Sequence, residues 1–128
     1  MSDTTTTPRI LIVDDDKMFC QVLRTYLDQV GFATTVAHSA ADVMTKVSLG
    51  CDLVLLDLYM VRETGIDALI SLTAEKPDLP VVIMTGYASN ELRQTAANLG
   101  ARAFLKKPFA MTALKKTIEE LLTPPPTA

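Results

Sequence analysis

Five short β-rich apolar runs, Ile10–Val13, Thr34–Ala37, Leu53–Leu56, Val81–Met84 and Ala103–Leu105, alternate along the chain with segments of helical spacing. That alternation leaves few folds open. Strands that follow one another through helices pair in parallel, because parallel neighbours need a crossover, and right-handed crossovers place helices on both faces of the sheet. The expected fold is α/β, a single doubly wound five-stranded parallel sheet with five helices. The run LVLL, Leu53 to Leu56, is apolar at every position, as a central strand covered on both faces requires.

The helices carry their own punctuation. The first, about Lys17 to Val30, sets Met18, Val22, Tyr26 and Val30 four apart beside Phe19, Leu23 and Leu27, which predicts one apolar stripe, and Gly31 follows as a C-terminal cap. The second opens at SAAD, where Ser39 and Asp42 have capping-box spacing, and closes near Gly50. The third opens at TGID by the same logic and ends before Pro77. The fourth runs from the cap Ser89 to Gly100. The fifth, about Met111 to Leu122, stops at TPPP, because consecutive prolines cannot continue a helix.

The strand ends are chemically selective. Asp14, Asp15 and Asp16 come directly after the first strand, Asp57 ends the third, Thr85 ends the fourth, and Lys106 and Lys107 end the fifth, so all fall on one sheet edge. In open parallel sheets the functional crevice lies at that edge, where strand order reverses. Three adjacent carboxylates repel one another unless a cation or a turn relieves them. Taken singly, each residue has a plain structural explanation: acids favour a helix N-terminus, threonine suits strand ends, and an aromatic such as Phe104 usually packs. Asp16 reads as an acid at the start of the first helix, and Lys106 as a solvated charge, since strand alternation points neighbours oppositely.

Composition removes several classes of function. The chain has 128 residues, enough for one domain with a real core, and its longest apolar runs fall far short of the roughly 20 residues of a membrane span. A net charge of -3 offers no basic field for nucleic acid, and neither nucleic acid nor membrane is expected as a partner. The start, MSDTTTTPR, lacks the basic and apolar regions of a secretory signal, so a cytoplasmic location is expected. Cys20 and Cys51 lack metal-ligand spacing and are expected to be buried, reduced thiols. His38, the single histidine, reads as a surface loop residue and cannot build a metal site alone.

The segments ILIVDDD, LVLLDLYM with TG after it, VVIMTGYA and FLKKPF, in that order and spacing, resemble a response-regulator receiver domain over about Arg9 to Leu122. The resemblance implies a strand order of 2-1-3-4-5 and assigns Asp57 as phosphoacceptor. By the same resemblance Asp14 and Asp15 bind a divalent cation, Mg²⁺ or Mn²⁺, with Asp57 and the backbone carbonyl of Tyr59. Lys107 pairs with the phosphoryl oxygens, Thr85 donates its hydroxyl, and Thr85 and Phe104 form the switch. Pro108 is expected to follow a cis bond. The implied partners are a sensor histidine kinase or histidine phosphotransfer protein, a downstream output domain or protein, and a second copy on phosphorylation. The chain would then be a switch in two-component signalling and not an enzyme turning over an external substrate. Residues 1–8 and 123–128 have the composition of tails or linkers.

Two features depart from the usual pattern or vary within it. Val61 stands where most receivers carry proline, while Gly65 is retained. By the same resemblance, Tyr59 and Tyr87, two residues after Asp57 and Thr85, fall at variable positions that influence phosphoryl lifetime, and both rings are expected to screen the path of attacking water. Rival families fit less well. A haloacid-dehalogenase phosphatase wants an aspartate where Tyr59 stands. A flavin carrier of this architecture wants a Ser/Thr/Gly-rich loop where three acids would repel phosphate. A degenerate docking module would not need Asp57, Thr85 and Lys107 together.

Overall fold

The computed structural model describes residues 7–60, 64–86 and 89–122. Every expected strand forms: β1 (Arg9–Val13), β2 (Ala33–Ala37), β3 (Leu53–Asp57), β4 (Val81–Thr85) and β5 (Ala103–Lys106). They make one parallel sheet in the order β2-β1-β3-β4-β5, with Val13 opposite both Ala37 and Leu56, and Asp57 opposite Met84. The carbonyl of Pro8 accepts from Ala33 N–H at 2.9 Å, adding a rung below the first pair. The expected tail at 123–128, residues 1–6 of the other tail, Val61 and Tyr87 lie outside the described residues.

Alternation along the strands divides the core in two. Ile10, Ile12, Leu53, Leu55, Val82 and Met84 face α1 (Lys17–Gln29) and α5 (Met111–Leu122), packing on Leu23, Leu27, Leu114 and Ile118. Leu11, Val13, Val54, Leu56 and Ile83 face the other side, against α2 (Val43–Ser48), α3 (Ile66–Glu75) and α4 (Asn90–Asn98), through Val43, Val47, Leu69, Leu72 and Ala96. The doubly wound architecture is thus present, and the strand order reverses between β1 and β3. Among the described residues no helix is long and apolar enough to cross a membrane.

Three local expectations need correction. In α1 the stripe is narrower than predicted: Cys20, Leu23 and Leu27 are buried, whereas Met18 is 79% and Val22 50% exposed. At 100° per residue, Met18 lies about 140° and Val22 about 100° around the helix from Leu23, so a row spaced by four, turning about 40° per step, meets the core only at its later members, Tyr26 and Val30. The second helical segment does not start on a capping box. A 3₁₀ turn (Ala40–Asp42) precedes α2, and Ser39 makes no side-chain cap bond. In α3 the capping position belongs to Gly65, not Thr64. Where a true cap forms, at Ser89, its hydroxyl accepts from Leu92 N–H at 3.0 Å. Gly31 and Gly100, with φ of 104° and 109°, follow the ends of α1 and α4 in the left-handed conformation that glycine adopts without strain.

Candidate functional site

Parallel pairing places the ends of β1, β3, β4 and β5 side by side, and the selective residues of the sequence converge there. Asp14 leaves β1 with its N–H on the Ala37 carbonyl at 3.1 Å, so its side chain turns into the crevice, where it is 1% exposed. Asp57 closes β3 and is 4% exposed, while Asp15 is half-buried. One carboxylate oxygen from each of Asp14, Asp15 and Asp57 lies within 4.8 Å of the others. Asp16 stays outside this group. It is the N-cap of α1, its Oδ1 accepting from Phe19 N–H at 3.0 Å, and its own N–H donates to Asp14 Oδ1 at 3.0 Å.

The loop from β5 brings the opposing charge. Lys107 N–H donates to the Thr85 carbonyl at 2.7 Å, which fixes the lysine against the end of β4. Its Nζ stands 2.6 Å from Asp14 Oδ2 and 3.6 Å from Asp57 Oδ2. The Lys107–Pro108 bond is cis, as the resemblance implied, and Lys106 is exposed. Thr85 is fully buried at the end of β4. Phe104 is half-buried on the α4 side of β5, opposite Ile83, with the Arg93 guanidinium 5.0 Å from its ring centroid. Tyr59 is 49% exposed, and its N–H donates to Asp57 Oδ1 at 3.1 Å.

Among the described residues, the Lys107 ammonium is the cation facing Asp14 and Asp57 in this largely buried crevice. Burial first, and the charge of Asp14 second, push the Asp57 carboxyl up to about 6, against the opposing pull of Lys107 and the Tyr59 N–H. This donor set of three clustered carboxylate oxygens fits a hard divalent cation. Gly65 belongs to the same construction. Its N–H donates to the Leu58 carbonyl at 2.9 Å, and a Cβ there would collide with the Asp57 carbonyl oxygen. Glycine lets α3 begin against the back of the acid.

In metal-free protein this shift has a sign. An acid raised in the folded state keeps its proton longer folded than unfolded, so its contribution to stability falls as pH rises from about 4 to about 6. Asp57→Asn removes that cost, and the variant is expected to exceed wild type by about 1–3 kcal/mol at pH 7 in chelator. The difference should shrink to near zero by about pH 4. Urea unfolding at the two pH values checks it. Equal stability at pH 7 contradicts the burial of a strained charge.

Some neighbours were not expected. His38 follows β2, and register sets it beside the end of β1. Its Nδ1–H donates to the Asp14 carbonyl at 3.0 Å, although the residue is otherwise exposed as predicted. The Cys20 thiol donates to the same carbonyl at 3.4 Å. Both thiols are free, but Cys51 is only half-buried, contrary to expectation. Burial first pushes Cys20 up to about 12, reinforced by Asp14, and Cys51 up to about 11, so neither is an activated nucleophile. Phe19 lies beneath Lys107, with Nζ 4.2 Å from its ring centroid, and meets Phe109 edge-on at 6.0 Å and 78°.

The model of the response regulator receiver domain matches residues 10–119. The transcriptional regulatory protein ZraR of Salmonella typhimurium is 36% identical over 114 residues, which cover 88% of this chain and 26% of ZraR. CpxR of Klebsiella pneumoniae is 35% identical over 114 residues, covering 89% of this chain and 49% of CpxR. The chain therefore spans from about a quarter to half of these relatives' lengths. A CheY-like response regulator receiver domain protein from Methanospirillum hungatei superposes with a TM-score of 0.87 at 30% identity, covering 91% of this chain and 94% of that one. A match that runs from the first strand into the last helix, on a sheet wound in the same way, places this chain in the response regulator receiver domain family of two-component signalling.

Proposed function

We propose that the chain is a Mg²⁺-dependent phosphoacceptor switch in which Asp57 takes a phosphoryl group from a phosphohistidine. The observation that carries this is the Asp57 carboxylate, buried beside Asp14 and within reach of the Lys107 ammonium. A carboxylate pushed up only to about 6 remains mostly ionised at neutral pH, hence able to attack. Asp57 forms a P–O bond as the donor's P–N bond breaks, and the electron pair leaves on the imidazole. Lys107 pairs with the phosphoryl oxygens as a point charge, and the Thr85 hydroxyl donates to one of them. Asp14, Asp15, Asp57 and the Tyr59 carbonyl would hold Mg²⁺, or Mn²⁺, which when bound neutralises charge on the phosphoryl oxygens. Positioning and charge compensation are what phosphoryl transfer chiefly needs.

Residues 9–122 form the receiver of a cytoplasmic regulator, flanked by residues 1–8 and 123–128, which have the composition of tails or linkers. The partners are a histidine kinase or phosphotransfer protein upstream and an output domain or protein downstream. The acyl phosphate draws Thr85 inward, Phe104 turns into the space vacated, and the surface of α4, β5 and α5 changes, which also creates a face for a second copy. Mixing the chain with Mg²⁺ and acetyl phosphate tests the assignment: intact mass should rise by one phosphoryl group, and chelator should prevent it. No gain with Mg²⁺ present overturns it.

Tyr59 and Tyr87 screen the phosphoryl group from water. Tyr59→Asn and Tyr87→Asn are each expected to shorten the phosphorylated lifetime severalfold, timed by loss of the added mass in chelator. An unchanged lifetime in both removes the screening role.

A further inference from the structure

We propose that Phe19 is the positioning residue for Lys107, its ring face forming an aromatic seat for the ammonium. The proposal rests on the phosphoacceptor role of Asp57. Lys107 Nζ lies 4.2 Å from the Phe19 ring centroid while also facing Asp14 and Asp57, so the ring closes a side of the ammonium that the two acids leave open. A cation over a ring face is attracted by the negative face of the quadrupole, more strongly where water is excluded. The Lys107 side chain is 22% exposed, so this seat is partly desolvated.

The ring itself is held from two directions. The Asp16 cap fixes the Phe19 N–H and with it the first turn of α1. Phe109, two residues beyond Lys107, meets the ring edge-on at 78°. One aromatic side chain thereby ties the start of α1 to the segment carrying the lysine. Asp14 cannot give its carboxylate fully to both Lys107 and a bound cation. The Phe19 ring makes no claim on the acids, and it keeps Nζ beside Asp57 when Asp14 turns elsewhere. Phe19 acts through Lys107 and touches no reacting atom.

The test has two arms. In wild type without phosphodonor, the Lys107 Cε protons should be shifted upfield by the ring current of Phe19, and Phe19→Leu should return them to ordinary lysine values. In the reaction with acetyl phosphate and saturating Mg²⁺, Phe19→Leu should slow phosphoryl uptake about 3- to 30-fold, and Phe19→Tyr should restore it to within about twofold of wild type. Unshifted Cε protons in wild type overturn the seat without recourse to any variant. A wild type that accepts phosphoryl and a Phe19→Leu protein that reacts as fast overturn the role of Phe19 alone. A Phe19→Tyr protein as slow as Phe19→Leu shows that packing and not the ring face matters, and overturns it too. A wild type that accepts nothing removes the role of Asp57 and this one with it, whatever the Cε shift.

Discussion

Asp57→Asn is expected to cut phosphoryl incorporation by about a thousandfold or more, with the fold intact. The amide is nearly the same size as the carboxylate and can still accept from Tyr59 N–H, so packing at the end of β3 changes little. What disappears is the proposed nucleophile. Asp14 and Asp15 lie close enough to share a cation with Asp57, but Asp14 is paired at 2.6 Å with Lys107, which favours keeping it as a charge partner. Peptide mapping after acetyl phosphate treatment should find the modification at Asp57 in wild type and none in the variant. Incorporation at the wild-type rate in Asp57→Asn would mean that another carboxylate is the acceptor. The same substitution should stabilise the metal-free protein at neutral pH, so activity and stability move in opposite directions at one residue.

The second large effect concerns Lys107. Lys107→Met keeps the length and apolar stem but removes the charge facing Asp14 and Asp57. Loss of a donor aimed at developing phosphoryl charge should slow uptake by about 10²–10³-fold. Cation binding should respond in the other sense. With no ammonium 2.6 Å from Asp14, that carboxylate no longer divides its charge between lysine and metal, and Mg²⁺ is expected to bind the variant more tightly than wild type. Slower transfer with tighter Mg²⁺ binding separates loss of a charge from loss of structure, since a misfolded crevice would weaken both. Uptake within a few-fold of wild type contradicts the assigned role.

Much of this was legible in the chain because the fold and the site share one cause. Strand periodicity is local, so Ile10–Val13 and Leu53–Leu56 could be recognised without neighbours, and a parallel sheet then forces Asp14, Asp57, Thr85 and Lys107 to one edge. Residues whose role depends on angle or on distant partners were less visible. Met18 and Val22 are apolar and correctly spaced by fours, yet the helix turns them to solvent. Ser39 has a capping sequence, but a 3₁₀ turn takes its place. The partnership of Phe19 with Lys107 joins residues from opposite ends of the chain, and no periodicity encodes it. His38 could have been inferred from register, since it comes directly after Ala37, the partner of Val13.

On the proposed reading, the carboxylates of Asp14, Asp15 and Asp57, gathered from the ends of two strands, hold one divalent cation together. Calorimetric titration of the metal-free chain with Mg²⁺ examines that convergence at its source. One saturable site in wild type, lost when Asp14→Asn and Asp15→Asn are combined in a variant that still folds, is the predicted result. No heat of binding in wild type, or binding unchanged when both acids are neutralised, would contradict it.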